Sequence, residues 1–121
     1  MQIFLFGQSC STIKRTEVII DTRLKKITRI LENKKAEDVQ VLYVGKQTWI
    51  ADYFVIVSGN SPVHTKTLAY SLLEEFEDAP VSVDGIKTGR WILLDYAEIM
   101  VHIFLPEARD YYRLEKLWTE V

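Results

Sequence analysis

The chain has 121 residues, 48% of them hydrophobic and 26% charged, with a formal net charge of −2. That length suits one domain with a modest core, and the apolar content excludes a disordered tail. The near-neutral balance argues against a globally basic nucleic-acid binder, and the single cysteine, Cys10, excludes an internal disulfide or a cysteine metal cluster and fits a reducing compartment.

The chain opens MQIFLFGQSC. Its apolar core, IFLF, is too short for a signal peptide, and no basic residue precedes it. No apolar run approaches the ~18 residues of a membrane span. The expected location is the cytoplasm. Residues 1–18 have no clear period and read as a poorly packed extension, a loose tail or a short extra strand, ahead of a domain over 19–121. From Asp21 a helical spacing appears in Leu24, Ile27, Ile30 and Leu31, with Asp21 as N-cap. The outer face of that helix is basic: Arg23, Lys25, Lys26, Arg29, Lys34 and Lys35.

Two strands follow, VQVLYVG (39–45) and DYFVIVSG (52–59), with KQTWIA as a loop between them. SGNSP turns the chain. Ser61 suits an N-cap and Pro62 the first position of a second helix, whose inner side carries Leu68, Leu72, Leu73 and Phe76. That helix ends in Glu74, Glu75, Glu77 and Asp78, against its own dipole. A short strand, VSVD, leads to an Asp84-Gly85 turn. Then RWILLDY and IMVHIFL form a hairpin, and Pro106 opens a last helix with Tyr111 or Tyr112, Leu114, Leu117 and Trp118 as contacts. The expected fold is α/β: a single mixed sheet of about five strands with about three helices.

The strands YFVIV, WILLDY and IMVHIFL do not alternate apolar with polar, so both faces of the sheet look buried. Either three helices cover both faces, or one apolar face is left for a partner or a second copy. The pattern alone does not choose.

Catalytic signals are weak. SGNSPVH resembles a phosphate-binding turn only in having a glycine before a helix; the Walker spacing and G-x-G-x-x-G are both missing. A Ser61–His64–Asp52 triad has no G-x-S-x-G elbow. Asp52, His64, Asp95 and His102 share no metal-ligand spacing, so no metal or cofactor is expected. No D-x-D or D-x-E follows the SG turn to hold magnesium for nucleotide transfer. The basic first helix offers phosphate contacts, but lysine- and arginine-rich outer faces are common and no aromatic stacking pattern accompanies this one.

Four blocks in order carry a resemblance: LENKKAEDVQVL (31–42), IADYFVIVSGNSPVHTKTLA (50–69), GRWILLDYAEIMVHIF (89–104) and RDYYRLEKLW (109–118). Together they resemble the ribosomal silencing factor RsfS family, also called Iojap or DUF143, from about Asp21 to Trp118. The resemblance implies a nucleotidyltransferase-like topology without the metal carboxylates, and a protein that is not an enzyme. It implies binding to the large ribosomal subunit through the large-subunit ribosomal protein numbered fourteen. The bound factor would block subunit association and repress translation under nutrient limitation, and the free protein would form a homodimer. Carried onto this sequence, the partner-binding residues are Trp91, Leu93, Asp95, Tyr96, Met100, His102 and Phe104, with Pro106 and Glu107 at the rim. A peripheral ribosomal RNA contact would fall to the basic first helix. Where the family usually reads Asp-Tyr-Gly-Asp, this chain has Asp95-Tyr96-Ala97-Glu98. If that position needs positive φ, alanine costs on the order of 1 kcal/mol. The competing reading is a nucleotide-binding or phosphotransfer enzyme using the Ser58-Gly59-Asn60-Ser61 turn.

Overall fold

The structure, a computed structural model, describes residues 2–3, 15–46, 48–49 and 51–107, with side chains from residue 22 onward. Its elements run β1 (Gln2–Ile3), α1 (Arg15–Asn33), β2 (Glu37–Tyr43), β3 (Tyr53–Ser58), α2 (Pro62–Glu75), β4 (Ser82–Asp84), β5 (Trp91–Asp95) and β6 (Ile99–Phe104). The strands form one mixed sheet in the order β1-β2-β3-β6-β5-β4. β3 and β6 are parallel; β2 with β3, β6 with β5 and β5 with β4 are antiparallel. The expected α/β class and mixed sheet are therefore found, with a two-residue β1 added in parallel to β2. Pro106 and Glu107 are helical, and the rest of the expected third helix lies outside the described residues.

α1 starts at Arg15, so Asp21 is interior and does not cap it. No proline or glycine separates Arg15 from Asn33, and nothing local stops the helix from extending past Asp21. Its C-terminus is closed by Lys35 in the left-handed region, φ 65°. There Ala36 N–H donates to the Leu31 carbonyl and Lys35 N–H to that of Glu32. This is the Schellman arrangement with lysine where glycine is usual. α2 begins as expected: Ser61 Oγ accepts from His64 N–H, and Pro62 follows the cap.

Both helices pack on one face of the sheet. Leu24, Ile27 and Leu31 of α1 and Leu68, Leu72 and Phe76 of α2 share a core with Val41, Val55, Val57, Ile92, Leu94, Val101 and Ile103. The acidic end of α2 is balanced by the basic side of α1. Lys26 pairs with Glu77, Lys34 with Glu75, and Arg23 with both Asp78 and Glu98. The surplus of each helix is thus answered by the other, which explains why α2 tolerates carboxylates against its dipole. A second, separate apolar cluster lies on the opposite face: Leu42, Val44, Ala51, Phe54, Ile56 and Phe104, with Trp91 and Met100 against it.

Candidate partner-binding face

Strand register decides what the hairpin presents. Trp91 lies opposite Phe104, Leu93 opposite His102 and Asp95 opposite Met100. Side chains alternate across a strand, so these six project to one side. Their neighbours Ile92, Leu94, Val101 and Ile103 point into the helix-covered core. The six therefore occupy the face opposite α1 and α2. β3 widens it, since Phe54 is in register with Met100 and Ile56 with His102, and β2 adds Leu42 opposite Phe54.

This face has a floor and a more accessible layer. Phe104 is fully buried and His102 is 5% exposed, whereas Trp91, Leu93, Asp95 and Met100 are partly exposed. The Trp91 ring lies over Phe104 with centroids 4.8 Å apart, and Phe54 meets the His102 ring at 4.7 Å. Such ring pairs add to the area they bury. Trp91 Nε1–H donates to His102 Nδ1 at 3.2 Å. That contact places the imidazole proton on Nε2. His102 Nε2 is buried and has no hydrogen-bond partner among the described residues. Burial pushes the His102 pKa down to about 4, so the ring is neutral at ordinary pH. The floor thus contains a neutral donor whose hydrogen bond is unmade, which costs free energy until an acceptor arrives.

Tyr96 does not join the other six. It is 2% exposed on the helix side, edge-on to Phe76 with centroids 5.2 Å apart. One residue beyond Asp95, it falls on the opposite side of the pleat, where it fastens the hairpin to α2. Burial, and then the nearby Asp78 carboxylate, push its pKa up to about 12. Asp95 closes the hairpin turn, its Oδ1 accepting from Ala97 N–H at 2.8 Å. Ala97 has φ 71°, so the departure from the family's glycine falls at a left-handed position. Pro106 and Glu107 are exposed just past β6.

The SGNSPVH turn spends its own donors. Gly59 N–H goes to the Phe104 carbonyl, Asn60 N–H to His64 Nδ1, His64 N–H to Ser61 Oγ and Thr65 N–H to the Ser61 carbonyl. A phosphate would have to compete for each of them. His64 Nε2 meets the Lys34 carbonyl at 2.8 Å, so its ring joins the end of α1 to the start of α2. Asp52 lies at the far end of β3 from Ser61, ~20 Å of strand away. The Ser61–His64–Asp52 arrangement does not assemble. Among the described residues, no three His, Cys, Asp or Glu side chains come together as a metal site.

Comparison with known proteins now becomes informative. Residues 17–121 match the family described as "Ribosomal silencing factor during starvation", RsfS. The chain belongs to the RsfS family. Ribosomal silencing factor RsfS of Bacillus subtilis is 34% identical over 100 residues, covering 80% of this chain and 85% of the relative. A mouse protein, "Mitochondrial assembly of ribosomal large subunit protein 1", is 32% identical over 99 residues, covering 77% of this chain and 43% of its own length. A crystal structure of a Chromobacterium violaceum protein superimposes with a TM-score of 0.78 at 33% identity, over 83% of this chain and 86% of that one. The RsfS family is named for silencing ribosomes, not for a reaction. Among the described residues, no helix is long and apolar enough to cross a membrane.

Reading the hairpin alone missed the β3 and β2 part of the face. Phe54, Ile56 and Leu42 were visible as apolar residues alternating with Tyr53, Val55 and Val41, but only pairing aligns them with His102 and Met100. Trp49 was passed over as part of a loop; it is 96% exposed.

Proposed function

We propose that the chain is a ribosome-binding silencing factor that works by occupancy and without catalysis. Its face opposite α1 and α2 docks on the large ribosomal subunit through the large-subunit ribosomal protein numbered fourteen. The bound chain blocks joining of the small subunit and lowers translation under nutrient limitation. The observation that carries this reading is the second apolar cluster, which has Trp91, Leu93 and Met100 partly exposed around a buried His102 donor left unpaired among the described residues. An apolar patch with one aromatic anchor and a polar group awaiting its partner is the composition of a protein interface. His102 donates to a backbone carbonyl or carboxylate of the partner, and Asp95 faces a cationic surface.

A protein contact dominates over RNA in this reading. Arg23, Lys26 and Lys34 are already engaged with carboxylates, which leaves the basic first helix only a peripheral role at ribosomal RNA through the exposed Arg29 and Lys35. The free protein pairs with a second copy through the same face, since a lone copy would leave it wet.

The test is co-sedimentation with isolated large and small ribosomal subunits, with wild type beside Trp91→Ala. Binding to the large subunit alone, lost in the variant, is the expected result. Binding that survives Trp91→Ala moves the dock elsewhere. No binding by folded wild type removes the ribosomal reading for this chain.

A further inference from the structure

Trp49 is 96% exposed, more than any other large apolar side chain among the described residues. It stands in the loop between β2 and β3, at the end of the sheet where the β5–β6 hairpin turns. With Ala51, Asp52, Ala97 and Glu98 it lines an open notch of about 260 Å³. The two walls are tied by backbone. Asp52 N–H and Tyr53 N–H both donate to the Glu98 carbonyl, at 2.9 and 3.0 Å, and Val44 N–H donates to that of Asp52 at 2.8 Å. Thr48 N–H, beside the tryptophan, is bonded to the Val44 carbonyl at 3.0 Å. The notch is therefore framed by a hydrogen-bonded backbone.

Its chemistry is an indole with carboxylates. The Asp52 side chain has no hydrogen bond or ion pair among the described residues. Glu98 Oε2 holds Arg23, and Asp95 caps the turn that forms the second wall. The lining itself carries two carboxylates, Asp52 and Glu98, and only Glu98 is paired, with Arg23. A phosphate backbone is repelled by such a site, whereas a cation is drawn to the indole face and to Asp52 together. A planar guanidinium suits both at once, stacking on the ring while it bonds the carboxylate. The notch also adjoins the face opposite α1 and α2: Ala51 belongs to its apolar cluster, and Asp95 and Met100 border the same turn.

We infer that the notch between Trp49, Asp52 and the Ala97–Glu98 turn receives a cationic side chain, arginine before lysine, from the protein that covers the face opposite α1 and α2. This rests on the docking reading above and adds a second anchor at its rim. Trp91 and Phe104 supply the apolar centre; Trp49 and Asp52 select a partner with a basic residue one strand-end away.

The test measures binding of the full chain to isolated large ribosomal subunits, for Trp49→Ala and Asp52→Asn beside wild type and Trp91→Ala, at low and high salt. Both notch variants are expected to melt like wild type, since neither side chain is in the core. Trp49→Ala should weaken binding by roughly tenfold and Asp52→Asn by roughly threefold at low salt, the latter effect shrinking as salt rises. If both bind as wild type does while Trp91→Ala fails, the dock stands and the notch is empty of partner. If Trp49→Ala weakens binding but Asp52→Asn strengthens it, the indole meets nucleic acid and the cation is wrong. If folded wild type does not bind, the docking reading falls and this one falls with it.

Discussion

On the helix side of the sheet, Val55, Val57, Val101, Ile103, Ile92 and Leu94 are aliphatic and wholly buried, and they meet the aliphatic ridges of α1 and α2. On the other side the same strands carry Phe54, Ile56, His102, Phe104 and Trp91, with Asp95 at one end. The first surface is closed by volume: branched aliphatic chains fill space and need no direction. The second is built from rings and one oriented hydrogen bond, and among the described residues it leaves a donor unmade. A core can afford no such donor unless something outside completes it. Two sheet faces of similar hydrophobicity thus differ in kind, one finished by α1 and α2 and one left unfinished by the described residues.

Mutations should separate the faces. The largest loss of stability is expected from Ile92→Ala, which empties a fully buried site under α2. It should cost about 2–5 kcal/mol and lower Tm by roughly 10 °C or more, seen by calorimetry. Trp91→Ala on the other face should cost only about 1 kcal/mol of stability, yet weaken large-subunit binding by about 2 kcal/mol or more, near 30-fold. Equal stability losses at Ile92 and Trp91 would erase the distinction.

The His102 ring gives a sharper test. Its folded pKa, about 4, lies below the unfolded value of 6.5, so the unfolded chain binds the extra proton between them. Stability is therefore full above pH 6.5 and is lost as pH falls toward 4. Between pH 7 and pH 5 the loss should be about 2 kcal/mol, and His102→Phe should flatten it in urea titrations. Arg23 holds Glu98 below the usual carboxylate range, so that group acts only at lower pH and does not blur this window. The smallest effect belongs to the hairpin turn between the faces. Ala97→Gly relieves a positive φ and should raise stability by about 0.5–1 kcal/mol, a few degrees in Tm.

Much of this was legible in the chain. The Pro62 helix with its Ser61 cap, the β3 and hairpin strands, and the absence of alternation all follow from local propensity and period. Six of the seven hairpin residues chosen from the sequence share one face because they alternate in β5 and β6. Tyr96 failed because it sits one residue out of that alternation. The start of α1 was misplaced because Asp21 looks like a cap wherever it stands, and only the continuing helix upstream shows that it is not one.

The sequence by itself determined which segments form helices and strands, that the last two strands make a hairpin, and that both sheet faces would be apolar, since those depend on residue type and period within a few positions. It also carried the family blocks. Which face the helices took was decided only in three dimensions. That choice depends on strand order, on the crossover of α2 between parallel β3 and β6, and on ion pairs between residues some fifty to seventy-five positions apart, such as Lys26 with Glu77 and Arg23 with Glu98. The unmade bond of His102 and the exposed Trp49 notch belong to the same class of fact. Each is a relation between distant residues, and no local pattern encodes it.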